Sequence, residues 1–236
     1  IDSTSDRLDC DLIACSGGWS PTIHLSSHTG SKPVWDESIS GFVSGPTQEN
    51  LQFVGACNGE YRLTDCLSNG AEIGRSAAES AGYRNSSIKM PCFQVEESEE
   101  LPQQTLFLVP HDKGISRAPS QFVDMQLDVT ADSIEIAVRE GFESIEHIKR
   151  YTALGFGTDQ GKLSNINGIG ILAQLLGRSI SEIGTTVFRP AYTPTTFGAI
   201  AGRDVGALFD PERLTAIQRW HEDNSAKFED VGQWKR

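Results

Sequence analysis

The chain is predicted to be α/β, with a small α-helical module after the α/β part and an extended C-terminal segment. Three observations predict this. Short apolar runs closed by glycine stand at residues 8–18 and 51–57, as buried strands ending in turns do. A helix-spaced segment follows the second run, which is the strand–turn–helix order of α/β domains. Beyond residue 120, apolar residues recur at helical spacing between cap-forming residues and glycines.

The elements follow in order. Leu8–Cys15 reads as a strand closed by Ser16, Gly17 and Gly18, and Leu51–Cys57 as a second. Leu63–Ala81 reads as a helix carrying Leu67, Ala71 and Ala78, with Gly70 and Gly74 on the way. Tyr83–Pro119 is a connector. Its acidic run Gln94–Glu100, between Pro91 and Pro102, is expected to be a solvated loop because like charges repel. Thr105–Val109 could add a short strand. Thr130 is an expected N-cap for a helix Ala131–Glu140 stopped by Gly141, with Ile134, Ala137 and Val138 as its stripe. Ser144 is expected to cap a helix with Ile145, Ile148 and Tyr151 that stops near Gly155. A third helix covers Ile166–Leu176 and stops at Gly177. Such aliphatic stripes are core. From Thr185 the chain reads as extended, with Pro190 and Pro194, and Leu214–Arg236 begins as a helix.

Composition narrows the function. The 236 residues carry a net charge of −12, and Lys and Arg are scattered, which argues against a nucleic-acid partner. No run approaches the roughly 20 apolar residues of a membrane helix. The polar, acidic start is no signal peptide, and without an initiating Met the chain is expected to be processed or excised. Cysteines at 10, 15, 57, 66 and 92 form no CxxC pair, so reduced cytoplasmic thiols are expected rather than a disulfide framework or zinc site.

Chemistry-bearing patterns are sparse. His24 and His28 are four apart, but Pro21 and the Ser/Gly surroundings predict a loop, and no third ligand accompanies them. No GxSxG elbow and no cysteine–histidine pair is present. Gly168–Ala173 fits GxGxxA, yet polar residues precede it where a dinucleotide fingerprint needs a strand. Close helix packing through small residues is the expectation there. Thr158–Lys162 (TDQGK) has two readings. One is an anion site, with a helix start supplying amides and Lys162 a charge. The other is a polar connection with Asp159 as a cap.

Longer motifs carry a resemblance. FVDMQLDVT at 122–130, AVREG at 137–141, EHIKRYT at 146–152, GTDQGK at 157–162, FRPAYTPTTFG at 188–198 and FEDVGQW at 228–234 follow one another. The succession resembles the alpha subunits of heterotetrameric sarcosine oxidases over nearly the whole chain. The resemblance implies an internal piece of such a subunit. Residues 1–82 would be the C-terminal part of an NAD(FAD)-type dinucleotide-binding domain, and 83–119 a connector. Residues 120–184 would be a two-iron-ferredoxin-like helical module, and 185–236 a linker and the start of an aminomethyltransferase-like folate domain.

The same resemblance implies the chemistry. The complex would oxidise sarcosine to glycine, yielding hydrogen peroxide and 5,10-methylenetetrahydrofolate, or formaldehyde without folate. The partners would be beta, gamma and delta subunits in a cytoplasmic heterotetramer, with no nucleic acid and no membrane. The cofactors would be NAD, FMN at the interface with the beta subunit, and tetrahydrofolate in a downstream domain. Gly55 and Ala56 stand where flavin-binding relatives have Gly-Asp, which weakens FAD and agrees with NAD. Asp124, Gln126, Asp159 and Ser164 align with the four cysteines of a cluster, so no iron–sulfur cluster is expected. Thr158, Asp159, Gln160 and Lys162 would line the FMN interface, with Lys162 or Arg150 near the phosphate. No catalytic residue and no metal ligand is expected in this piece, which alone would be inactive. The alternatives are the alpha subunit of a dye-linked amino-acid dehydrogenase and a non-catalytic partner-binding scaffold.

Overall fold

The computed structural model describes residues 9–14, 17–46, 51–83, 89–96, 104–190, 193–203, 205–206 and 210–236. The chain divides into two compact units, Ile1–Tyr192 and Thr193–Arg236.

The first unit opens with a short helix α1 (His24–His28) and an antiparallel hairpin β1 (Val34–Asp36)–β2 (Gly41–Val43). Its turn is held by Asp36, whose carboxylate accepts from the Ser38 amide at 2.8 Å. Trp35 and Phe42 meet edge to face with centroids 5.0 Å apart and are buried beside Ile23. Helix α2 (Leu63–Ser80) follows a 3-10 turn Gly55–Asn58 and buries no residue fully.

A hairpin β3 (Phe122–Asp124)–β4 (Val129–Thr130) then leads directly into helix α3 (Ala131–Arg139). Its register shifts between Phe122 and Asp124. Helices α4 (Ile145–Thr152), α5 (Asn165–Leu176) and α6 (Ile180–Ile183) complete the module. Helix α3 packs on both α4 and α5 through the buried Ile134, Ala137, Ile148, Ile169 and Leu172. Local signals set these boundaries. Thr130 and Ser144 occupy the N-caps in extended backbone, while Gly141 and Gly177 take positive φ where α3 and α5 end. Ala153, with φ 66°, ends α4 before Gly155 is reached.

Helix α5 is apolar on nearly all sides and accordingly central. A Cβ on Gly168 would stand 2.5 Å from Leu154, and one on Gly170 2.4 Å from the Phe107 ring. The GxGxxA match is thus close packing, as expected.

Several expectations are corrected. Leu51–Cys57 is not a strand. Gly55 takes φ 75° and turns the chain into the 3-10 helix, its N–H reaching the Glu60 carboxylate at 3.3 Å. In the first predicted strand, residues 9–14 are irregular and Leu12 and Ile13 are exposed; Leu8, Cys15 and Ser16 lie outside the described residues. Thr105–Val109 is irregular too, because the Gln121 amide brackets Val109, accepting from its N–H and donating to its C=O. His24 and His28 bound a helix, not a loop. All three ladders among the described residues are two-stranded and antiparallel, so the expected α/β class appears here as mixed helix and strand without a parallel sheet. Of the acidic run, residues 97–100 lie outside the described residues.

The second unit holds helix α7 (Phe197–Ala201), helix α8 (Gln218–Asp223) and a hairpin β5 (Asp230–Val231)–β6 (Trp234–Lys235). The expected helix at Leu214 starts only at Gln218. Arg213 instead bridges to Trp234, and Lys235 pairs with Glu212 and Asp230. Among the described residues no helix is long and apolar enough to cross a membrane.

Candidate functional site: the turn between α4 and α5

The sequence Gly155–Ser164 folds as a chain of tight turns because Gly155, Gln160 and Gly161 all take positive φ. Asp159 organises the end of it. Its Oδ1 accepts from the Gly161 amide at 3.2 Å and its Oδ2 from Leu163 at 3.3 Å. The Lys162 amide donates to the Asp159 carbonyl, and those of Ser164 and Asn165 to Gly161. The amides of residues 161–165 are therefore consumed within the turn. Asp159 closes the turn ahead of α5, whose N-cap is Ser164 without a side-chain cap bond. An anion here would be held by side chains.

Two sets of side chains surround the turn. On one side Lys162 lines a cavity of about 370 Å³ with Trp19, His24, Phe42, Asn165, Ile169 and Phe188. His24 packs against Phe188 with ring centroids 3.9 Å apart and planes tilted by 55°, and His28 Nε2 lies 3.1 Å from the Phe188 carbonyl oxygen. Burial, then the Lys162 and His28 charges, lower the His24 pKa to about 4, so its imidazole is neutral at pH 7. On the other side Arg150 is exposed and pairs with Glu146 at 3.4 Å. Lys149 lies 5.8 Å above the Phe156 ring. Burial lowers the Lys149 pKa; Glu146 opposes this, and the Arg189 and Arg150 charges add to it. The Arg189 amide donates to Gln160 Oε1 at 2.7 Å, fastening the Phe188–Arg189 strap to the turn.

The four predicted turn residues Thr158, Asp159, Gln160 and Lys162 are thus on one short loop, with Arg150 on the preceding helix. Gly55 and Ala56 lie apart, on the 3-10 turn before α2. The sequence reading missed His24, Phe188, Arg189 and Asn165 as neighbours of the turn. Nothing local in the sequence announced them.

Asp124, Gln126 and Ser164 also meet at this turn. Asp124, 3% exposed, accepts from the Gly155 amide at 2.9 Å and the Ser164 hydroxyl at 3.1 Å. Gln126 Oε1 accepts from the Thr158 amide at 2.8 Å. These are hard oxygen and amide groups bonded to one another, a donor set unsuited to a thiolate-held cluster. Among the described residues no group of His, Cys, Asp and Glu is arranged to hold a metal ion.

The chain is similar to known proteins. Residues 118–203 match the family described as Sarcosine oxidase A3 domain. The sarcosine oxidase alpha subunits of Corynebacterium sp. strains P-1 and U-96 are each 42% identical over 98% of this chain. This chain is homologous to sarcosine oxidase alpha subunits. The alpha subunit of Rhizobium meliloti (strain 1021) is 37% identical, again over 98% of the chain. The chain spans about a quarter of the length of these curated relatives (24%, 24% and 23%). In fold it is similar to an L-proline dehydrogenase from P. horikoshii, with a TM-score of 0.54 at 19% identity, covering 78% of this chain and 37% of that one. The A3 match contains the whole turn and its hairpin, but neither His24 nor Gly55.

Proposed function

We propose that this chain is part of the alpha subunit of a sarcosine-oxidising enzyme complex and that its 155–164 turn faces a flavin bound with a partner subunit. The observation that carries the reading is the 37–42% identity to sarcosine oxidase alpha subunits across 98% of the chain. A bound FMN would supply electron acceptance within the complex, whose partner subunit would take the hydride from the secondary amine. The residues of this chain bind and orient. Lys162 or Arg150 would hold the phosphate as a charge-assisted partner, and Thr158, Asp159 and Gln160 would shape the contact.

The beta, gamma and delta subunits, peroxide formation, and the transfer of the product carbon to tetrahydrofolate belong to the same proposal. So do cytoplasmic location and NAD, although the Gly55 amide is already donated to Glu60 and offers nothing to a pyrophosphate. We further propose that the module works without an iron–sulfur cluster, because Asp124, Gln126, Asp159 and Ser164 include no thiolate. The dye-linked dehydrogenase alternative gains only a likeness of fold. The scaffold alternative agrees with the proposal for the isolated chain, which carries no catalytic residue in this reading.

The test is the complete multi-subunit complex carrying this sequence. Sarcosine-dependent peroxide formation is expected, with iron and acid-labile sulfide well below stoichiometric amounts. A complex that oxidises proline but not sarcosine would refute the assignment, and stoichiometric iron and sulfide would refute the cluster-free reading.

A further inference from the structure

We propose that Asp124 and Gln126, on the β3–β4 hairpin, are positioning residues that set the backbone of the 155–164 turn. The inference deepens the reading of that turn as a flavin-facing surface and rests on it for its consequence.

The hairpin is remote from the turn in sequence yet grips it at three points. Asp124 Oδ1 first fixes its own hairpin, accepting from the Gln126 and Leu127 amides at 3.0 and 3.3 Å. Its Oδ2 reaches across to the Gly155 amide and the Ser164 hydroxyl, near the two ends of the turn. The carboxylate is buried and answered by these four donors, so losing any of them leaves buried polarity unsatisfied. Gln126 grips the middle, its Oε1 accepting from both the amide and the hydroxyl of Thr158, at 2.8 and 3.3 Å. Those two bonds fix which end of the amide faces the turn, and they leave the Gln126 NH₂ turned away from Thr158. The approach is close, since a Cβ on Gly157 would stand 2.2 Å from Gln126 Oε1 and would make that side chain shift. Backbone held at both ends and the centre presents Thr158 and Lys162 from a fixed frame, which lowers the cost of ordering them on a ligand.

Gln126 is exposed, so its replacement tests positioning without dismantling a core. In the complete complex, Gln126→Leu removes the acceptor, Gln126→Glu keeps it, and Lys162→Ala is the control for the flavin reading. The measurements are amide hydrogen exchange at Thr158, FMN content and thermal midpoint. Gln126→Leu is expected to speed Thr158 exchange about tenfold, the worth of one hydrogen bond. FMN content should fall as in Lys162→Ala, with the midpoint nearly unchanged. Gln126→Glu should restore slow exchange. Unchanged Thr158 exchange in Gln126→Leu, with FMN kept while Lys162→Ala loses it, would overturn the inference alone. Full FMN content in Lys162→Ala would instead remove the flavin reading. Asp124→Asn adds an independent check, with faster exchange expected at Gly155.

Discussion

At His24 the imidazole is enclosed between α1 and Phe188, near the Lys162 and His28 charges, and its pKa falls from 6.5 to about 4. The folded state therefore binds its proton less readily than the unfolded chain. The stability that follows is complete above pH 6.5 and is lost as pH falls toward 4. His24→Phe keeps an aromatic ring against Phe188 and removes the proton. The thermal midpoint of the variant is expected to fall less steeply between pH 6.5 and 4, and an unaltered slope would remove His24 from the acid response. Gly161 has the opposite role, one of space. It takes φ 74°, and a Cβ there would stand 2.0 Å from Asn165 Oδ1. Gly161→Ala is expected to cost about 2–4 kcal/mol, combining left-handed strain with overpacking, read by denaturant unfolding.

Helices were legible because their signals are local. Thr130, Ser144, Gly141 and Gly177 act on the nearest turn of backbone, and α3, α4 and α5 begin and end close to where those residues place them. Strands were not, since a strand exists only by pairing. Leu51–Cys57 has apolar residues, but Gly55 diverts the chain into a 3-10 helix. The glycines of α5 were read correctly as packing residues, although Phe107 as the partner was invisible in sequence. Gly170→Ala should push against that ring and cost about 1–3 kcal/mol by the same unfolding measurement. Helix α6 carries a capping box, in which Ser179 and Glu182 each accept from the other's backbone amide. Ser179→Ala is expected to cost about 1 kcal/mol, and Ser179→Asp to restore most of it.

For the whole molecule, the turn motif Thr158–Lys162 was legible as a possible anion contact, but its mode was not. Spacing suggested helix-start amides; the fold spends the amides of the turn, 161–165, on Asp159 and Gly161, and the proposed contact runs through side chains. The partners of the turn come from residues 124–126 and 188–189, which only folding brings together. On the function proposed above, this turn serves a flavin held with another subunit. Its most direct test is the FMN content of the purified complete complex, with the rate of FMN reduction by sarcosine, in Lys162→Ala and Lys162→Arg. Lys162→Ala is expected to lower FMN content severalfold or slow reduction at least tenfold, while Lys162→Arg keeps most of both, a charge-assisted bond being worth about 1.5–3 kcal/mol. Wild-type FMN content and reduction rate in Lys162→Ala would contradict it.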